Sequence, residues 1–377
     1  MTSSKVNLLR FGVIGVGHLG AAHARILSQL KGAQLVGVAD PDEQARRRVL
    51  DGLPTTAFAD YRELIGRIDA AVVATPTRWH HCVGMELLSH GIHLLIEKPL
   101  ACTVAEADDL IAAARRHGAL LQVGHIEQFN PALEPVLAQA QEPKFIDAVR
   151  CGGFTGRSTD IGVVLDLMIH DLDLALSLVR SPVCEVDALG FSVFGGQEDV
   201  ANARLRFENG CVANFSASRV SPVAIRRMNI WSQQGFCGID FADRSSTVIR
   251  PGEKLSHGPL DVQSLSWEER QSLKDELFET YLSIEAFQPP PCDQLTVELK
   301  DFLLSIEGGH PPRVSGEQGR AAVHAAELIL QQIALHAWDG RPEGRIGPHG
   351  LGRPDILAGP YRVHSPDTEP PQRKEAG

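Results

Sequence analysis

The chain has 377 residues, 43% of them hydrophobic and 22% charged, with a formal net charge of −11. That length suggests two domains, and that composition belongs to a soluble globular chain, not a disordered one. The acidic balance argues against nucleic acid or an anionic membrane surface as a partner, and no apolar run approaches the ~20 residues of a membrane span.

The first apolar run leads straight into a glycine-rich turn, so it reads as a strand and not as a signal peptide. From there to residue 125, strand patterns alternate with helical ones. The predicted strands are Leu9–Ile14, Gln34–Ala39, Ala70–Ala74, His93–Ile96 and Leu120–Val123, and the predicted helices lie near 19–30, 42–50, 61–66, 79–89 and 104–117. Such alternation implies right-handed crossovers and a parallel sheet covered on both faces. Thr103 and Glu106 have capping-box spacing before the last helix, and Gly118 follows it as a stop.

The pattern then changes. Asp160–Val179 reads as one long helix. Short strands follow without helices between them: Val183–Phe191, Val200–Phe207, Cys211–Arg219, Arg226–Ser232 and Gly235–Phe241. Consecutive strands of this kind imply an antiparallel sheet. Leu295, Leu299, Phe302, Leu303 and Ile306 form a helical stripe ending at Gly308-Gly309, and 317–338 is a further helix. From Gly340 onward, seven Pro and seven Gly occur in 38 residues, which reads as extended or disordered chain. The expected division is a dinucleotide-binding domain at 1–125, a substrate domain at 126–338 and a tail at 339–377. The seven cysteines are scattered without a C-x-x-C, which fits reduced thiols in the cytoplasm better than a disulfide framework.

Gly15-Val-Gly17-His18-Leu19-Gly20 follows a strand and opens a helix. In that setting Gly15 permits the tight turn, Gly17 lets a pyrophosphate approach the backbone, and Gly20 lets helix and strand pack closely. The helix N-terminus offers free N–H groups to phosphate. Asp40 ends the second strand, placed to accept from both ribose hydroxyls and to repel a 2′-phosphate, so NAD is expected over NADP. Arg46, Arg47 and Arg48 lie close enough to soften that preference.

Three further segments carry chemistry. Thr75-Pro76, with His80 just beyond, ends one strand, and Glu97-Lys98-Pro99 ends another. Ligands of an open α/β sheet bind outside such carboxyl ends. In Asp166-Leu-Met-Ile-His170, the acid and the imidazole are four apart and share a helix face. His170 has the intrinsic pKa of a general base near neutrality. Lys98 would hold the same oxygen and stabilise an alkoxide, or act as the base itself if burial lowers its pKa. Asp166 would orient His170 or bind a neighbouring hydroxyl. Arg157 and Arg219 are candidate grips for a substrate diphosphate. Adjacent His80 and His81 diverge on a helix and have no third ligand at suitable spacing, so no metal is expected.

Gly15–Gly20 with His23, Thr75-Pro76 with His80, Glu97-Lys98-Pro99, and Asp166 with His170 resemble, in this order, the Gfo/Idh/MocA family of sugar and polyol dehydrogenases. Val123-Gly-His-Ile-Glu-Gln-Phe-Asn130-Pro131 also fits, with Gln128 where an Arg is more usual. The resemblance covers about residues 8–338. It implies an α/β protein: an N-terminal Rossmann domain and a C-terminal α/β domain built on a largely antiparallel open sheet that commonly mediates oligomerisation, here as a dimer or tetramer. It implies NAD contacts from Gly15, Gly17, His18, Leu19, Gly20, Asp40, Thr75, Pro76, His80, Glu97 and Lys98. It also implies substrate contacts from Lys98, Asn130, Asp166 and His170, a catalytic Lys98, and a Lys98–Pro99 bond that is cis.

The phrases Gly17-His-Leu-Gly20, Gly124-His-Ile-Glu127, Val164–Leu174 and Ser216-Ala-Ser-Arg219 further resemble members that oxidise the 3-hydroxyl of a UDP-N-acetylhexosamine. This implies a 3-keto nucleotide sugar, passed to a PLP-dependent aminotransferase in making 3-amino lipid A precursors. A free polyol such as inositol is the alternative substrate. A dinucleotide-sensing regulator is the alternative class, against which the retention of Lys98, Asp166 and His170 together argues.

Overall fold

A computed structural model of the protein describes residues 8–156, 160–256, 258, 260–341 and 344–351. The first sheet has six parallel strands in the order β3-β2-β1-β4-β5-β6: β1 Leu9–Ile14, β2 Ala33–Ala39, β3 Thr56–Phe58, β4 Ala70–Val73, β5 His93–Glu97 and β6 Leu121–Gly124. Helices α1 His18–Leu27, α2 Glu43–Leu50, α3 His80–Ser89 and α4 Val104–His117 supply the crossovers. Successive strand residues bury on opposite faces: Val13, Val72 and Leu95 join one core cluster, and Ile14, Val73, Leu94 and Ile96 join the other. Strands buried on both sides are why their sequences read as unbroken apolar runs. Thr103 caps α4 through Glu106 N–H at 3.2 Å, and Gly118 ends it at φ 65°.

The second sheet has eight strands in the order β14-β13-β12-β11-β7-β10-β9-β8: β7 Phe145–Cys151, β8 Val183–Phe191, β9 Val200–Phe207, β10 Val212–Ser218, β11 Ile225–Ser232, β12 Gly235–Asp240, β13 Ser245–Pro251 and β14 Leu282–Phe287. Every pairing is antiparallel except β7 with β10. One face packs on α5, Ile169–Val179, through Leu172, Ala175 and Val179.

Several expectations need correction. The 160–179 segment is not one α-helix: a π-helical turn over Val164–Met168 precedes α5. Residues 61–66 hold only a 3₁₀ turn, Tyr61–Leu64. Strands β3, β7, β13 and β14 were not anticipated. In β7 the inward alternation includes the charge of Arg150, which hides the apolar period.

Helix α6, Gln294–Gly308, was expected to go with the second sheet. Its Leu299, Phe302 and Leu303 instead lie in the core of the first, with Phe302 edge-on to Phe11 at 6.0 Å. Helix α7, Gly316–Leu335, spans both cores: Ala322 and Val323 join the first, and Ala326, Ile329 and Ile333 the second. Arg320–Asp108 and Arg115–Glu317 ion pairs lock it to α4. Residues 344–351 pack against the second sheet, where Trp338 donates to Gly347 O and Ser192 N–H to Pro348 O, both at 2.9 Å. No helix among the described residues is long and apolar enough to cross a membrane.

Candidate active site

The glycine turn fits a dinucleotide on three counts. Gly15 has φ 82°, and a Cβ there would meet Ala74 O at 2.7 Å; a Cβ on Gly20 would stand 1.8 Å from Gly15 O, whereas nothing lies within 4 Å of one on Gly17. Helix and strand thus touch at Gly20, while the space over Gly17 is open. The first turn of α1 has no capping side chain and no acid, so its N–H groups and its dipole are free for phosphate. His18 and Leu19 are exposed beside it. Asp40 Oδ2 accepts Val16 N–H and Oδ1 accepts Asp42 N–H, both at 2.8 Å, which fixes the carboxylate at the end of β2. Arg46 turns away from that carboxylate to the carbonyls of Asp40 and Pro41, while Arg47 and Arg48 pair with Glu43 and Asp42.

The ends of β4 and β5 complete the rim. Thr75 Oγ1 is buried without a partner, an orphan hydroxyl that a bound cofactor can satisfy. His80 is buried and bridges two carbonyls, with Nδ1 2.8 Å from Pro99 O and Nε2 2.9 Å from Thr75 O. It ties the two strand ends together and does not face a ligand, which corrects its expected role. Glu97 likewise points inward: Oε1 meets His23 Nε2 at 2.7 Å, and Oε2 accepts Lys98 N–H at 3.2 Å. The Lys98–Pro99 bond is cis.

Lys98 Nζ donates to Asp166 Oδ1 at 2.9 Å and to Asp166 O at 2.7 Å. The π turn carrying Asp166 begins where Gly162 packs on Glu198; a Cβ on Gly162 would overlap that carboxylate at 2.0 Å. Glu198 also accepts Val164 N–H at 3.1 Å. Such turns recur at functional sites. Asp166 therefore holds Lys98 and makes no bond to His170; of its two expected roles, orienting the imidazole or binding a neighbouring hydroxyl, the first is not seen. His170 Nδ1 is buried without a partner, and its ring meets that of His125 edge-to-face at 6.3 Å. Burial, then the charges of Lys98 and Arg150, push the His170 pKa well below the usual value, so the ring is neutral at neutral pH.

Three predicted substrate residues fare differently. Asn130 is buried and fully used: it donates to Glu127 and Phe241 O and accepts Ala132 N–H, so it shapes its turn and offers nothing to a ligand. Arg219 is not a free anion grip. Its Nε bonds Asp199 at 2.5 Å and its Nη1 bonds Ile161 O at 3.1 Å. Arg157 lies outside the described residues.

Sequence reasoning missed the layer behind the site. Arg150 is buried between Asp171 and Glu127, at 2.8 Å from each. Gln128 donates to Asp173 at 2.6 Å, which settles the contact of this unusual residue. Glu298 is fully buried, with neither carboxyl oxygen partnered, within 4.8 Å of Glu97 and His23. The available signals were Arg150 on the inward alternation of β7 and Glu298 on the apolar stripe of α6.

Fold and site together define a dinucleotide-dependent oxidoreductase. Residues 9–125 match the family described as "Oxidoreductase family, NAD-binding Rossmann fold", and residues 139–236 match the "GFO/IDH/MocA C-terminal domain". The chain belongs to the Gfo/Idh/MocA family, and its cofactor is NAD. It is 35% identical over 332 residues to the UDP-N-acetylglucosamine 3-dehydrogenase of Acidithiobacillus ferrooxidans, covering 88% of this chain and 98% of that one. A solved structure of the enzyme of that name from the same organism superposes with a TM-score of 0.75 at 33% identity, covering 86% of this chain and 97% of that one. The myo-inositol 2-dehydrogenase of Thermotoga maritima is 26% identical over 356 residues, 86% of this chain and 97% of that one.

Proposed function

We propose that the protein oxidises the 3-hydroxyl of UDP-N-acetylglucosamine to the 3-keto nucleotide sugar, with NAD as acceptor. The Lys98–Asp166 pair beside a neutral His170 carries this reading, and the full-length likeness to a UDP-N-acetylglucosamine 3-dehydrogenase supports the substrate. When bound, NAD would supply the acceptor for the hydrogen and electron pair that leave the carbinol carbon. The protein handles the remaining proton. His170 accepts it from the hydroxyl, and the Lys98 ammonium, held by Asp166, donates to the oxygen as negative charge develops. Lys98 remains the alternative base. Asp40 favours NAD by occupying the place of a 2′-phosphate.

Oxidation of a free polyol is the second reading, supported by the likeness to myo-inositol 2-dehydrogenase. Under the first, the 3-keto product goes to an aminotransferase in the cytoplasm, on the way to a 3-amino lipid A precursor. A homo-oligomer formed through the open face of the second sheet belongs to the same proposal, as does Arg157 as a diphosphate contact. The test is NADH absorbance with UDP-N-acetylglucosamine, myo-inositol and free hexoses, each with NAD and NADP. An aminotransferase and amino donor are added to draw off an unfavourable equilibrium. NADH from the nucleotide sugar supports the proposal. NADH from inositol alone replaces it with the second reading, and tight NAD binding with no turnover of any substrate favours a regulator.

A further inference from the structure

Two half-exposed phenylalanines meet on the surface of the second domain. Phe154 lies in the segment leaving β7, and Phe194 in the β8–β9 connection. Their rings are 5.0 Å apart at 55°, and they are 48% and 51% exposed. Lone exposed apolar residues are ordinary. These two are held by a buried polar device. The Arg219 guanidinium lies 5.6 Å from the Phe154 ring centre. Its ion-pair partner, Asp199, is fully buried and accepts from Val193 N–H at 2.6 Å and Phe194 N–H at 2.8 Å. One ion pair thus lies against the Phe154 ring and holds the Phe194 backbone. The neighbouring Glu198 bonds Val164 N–H, the first residue of the π turn that presents Asp166. The exposed aromatic surface is therefore braced, through the adjacent Glu198 and Asp199 just before β9, to the π turn that presents Asp166.

We infer that Phe154 and Phe194 form the platform on which the nucleobase of a nucleotide sugar stacks. The inference rests on the nucleotide-sugar reading and deepens it by assigning the remote end of the substrate. A planar base offers a π-face to an aromatic ring without hydrogen-bond readout. A polyol has no such group. Binding energy from a remote base, spent on placing the sugar carbinol against Lys98 and His170, is how such an enzyme discriminates its substrate from the free hexose. Arg219 is then a positioning residue: it does not touch the diphosphate but stiffens the ring that the base meets.

The experiment is titration calorimetry of UDP into the NAD-loaded protein, beside the KM for UDP-N-acetylglucosamine. The proteins compared are wild type, Phe154→Ala/Phe194→Ala and Phe154→Trp. Both side chains are exposed, so the alanine variant should fold, which circular dichroism and NAD affinity check. The expected result is at least a tenfold loss of UDP affinity and a matching rise in KM in the double variant, unchanged NAD affinity, and retention of UDP binding in Phe154→Trp. Unchanged UDP affinity in the double variant, in a wild type that oxidises UDP-N-acetylglucosamine, overturns the platform and leaves the functional reading standing. A double variant with unchanged UDP affinity but a smaller mass by light scattering assigns the rings to a subunit contact instead. A wild type that binds no UDP but oxidises inositol removes both.

Discussion

The Lys98 ammonium is gripped twice by Asp166, through the carboxylate at 2.9 Å and the main-chain carbonyl at 2.7 Å. A long side chain on the end of β5 is thereby fixed to the first turn of a helical segment in the second domain. The double grip positions the ammonium and also balances its charge in a half-buried place. Lys98→Met is expected to lower kcat by about 10²–10⁴-fold, the range for a lost catalytic proton or oxyanion donor. Asp166→Asn keeps the shape but weakens the grip, and should cost less. Steady-state kinetics with NAD binding measured separately checks this; a Lys98→Met enzyme within tenfold of wild type removes Lys98 from the mechanism.

His170 is neutral because burial and nearby cations, Lys98 and Arg150 foremost, oppose its protonation. If it is the base, the acidic limb of kcat/KM falls below pH 6.5, since the imidazole must be neutral to accept a proton. A limb rising toward the lysine range would instead assign the base to Lys98. The charge of Lys98 is one cause of the depression, so Lys98→Met should move the His170 titration upward, as followed by NMR of the ring protons.

The first domain was largely legible because its central strands β1, β4, β5 and β6 are largely buried and the turns after β1, β4 and β5 have their own punctuation: Gly15, Pro76 and Pro99. The proposed catalytic trio of Lys98, Asp166 and His170 could be singled out because charged residues stand at strand ends or inside an apolar helix. The roles within it could not. Spacing of four predicts that Asp166 and His170 meet, but the π turn and the reach of Lys98 from a strand 68 residues away redirect the acid. Asn130 and Arg219 resembled ligand residues because a polar side chain in a loop looks the same whether it binds substrate or satisfies a neighbour. Only the partners, Glu127 and Asp199, decide it. Helix α6 read correctly as a helix, yet a stripe does not say which sheet it covers.

Arg150 bridges Glu127 and Asp171 beneath the site with almost no solvent access. Replacing one member of such a group leaves buried charge without compensation. Arg150→Met should destabilise the fold by about 3–5 kcal/mol. Chemical denaturation measures it, with a Glu127→Gln/Arg150→Met/Asp171→Asn triple variant expected to recover part of the loss. A triple variant no more stable than Arg150→Met would mean that the arginine acts through packing alone.

Glu298 gives the clearest pH signature. Its carboxyl is fully buried beside Glu97, and burial, reinforced by the Glu97 and Asp301 charges, raises its pKa well above the ordinary glutamate value of 4.5. The folded chain therefore keeps this proton at pH values where the unfolded chain has released it. Between 4.5 and the raised folded value, the folded state binds more protons, so the contribution of Glu298 to stability declines as pH rises through that window and levels off above it. Glu298→Gln has nearly the same shape and no proton to lose. Relative to wild type, its melting temperature should therefore climb steadily from pH 5 toward alkaline pH, with the largest gain at the alkaline end. Thermal unfolding of both proteins across that range is the measurement. Parallel curves would show that Glu298 titrates normally and that the carboxyl is not held neutral against Glu97.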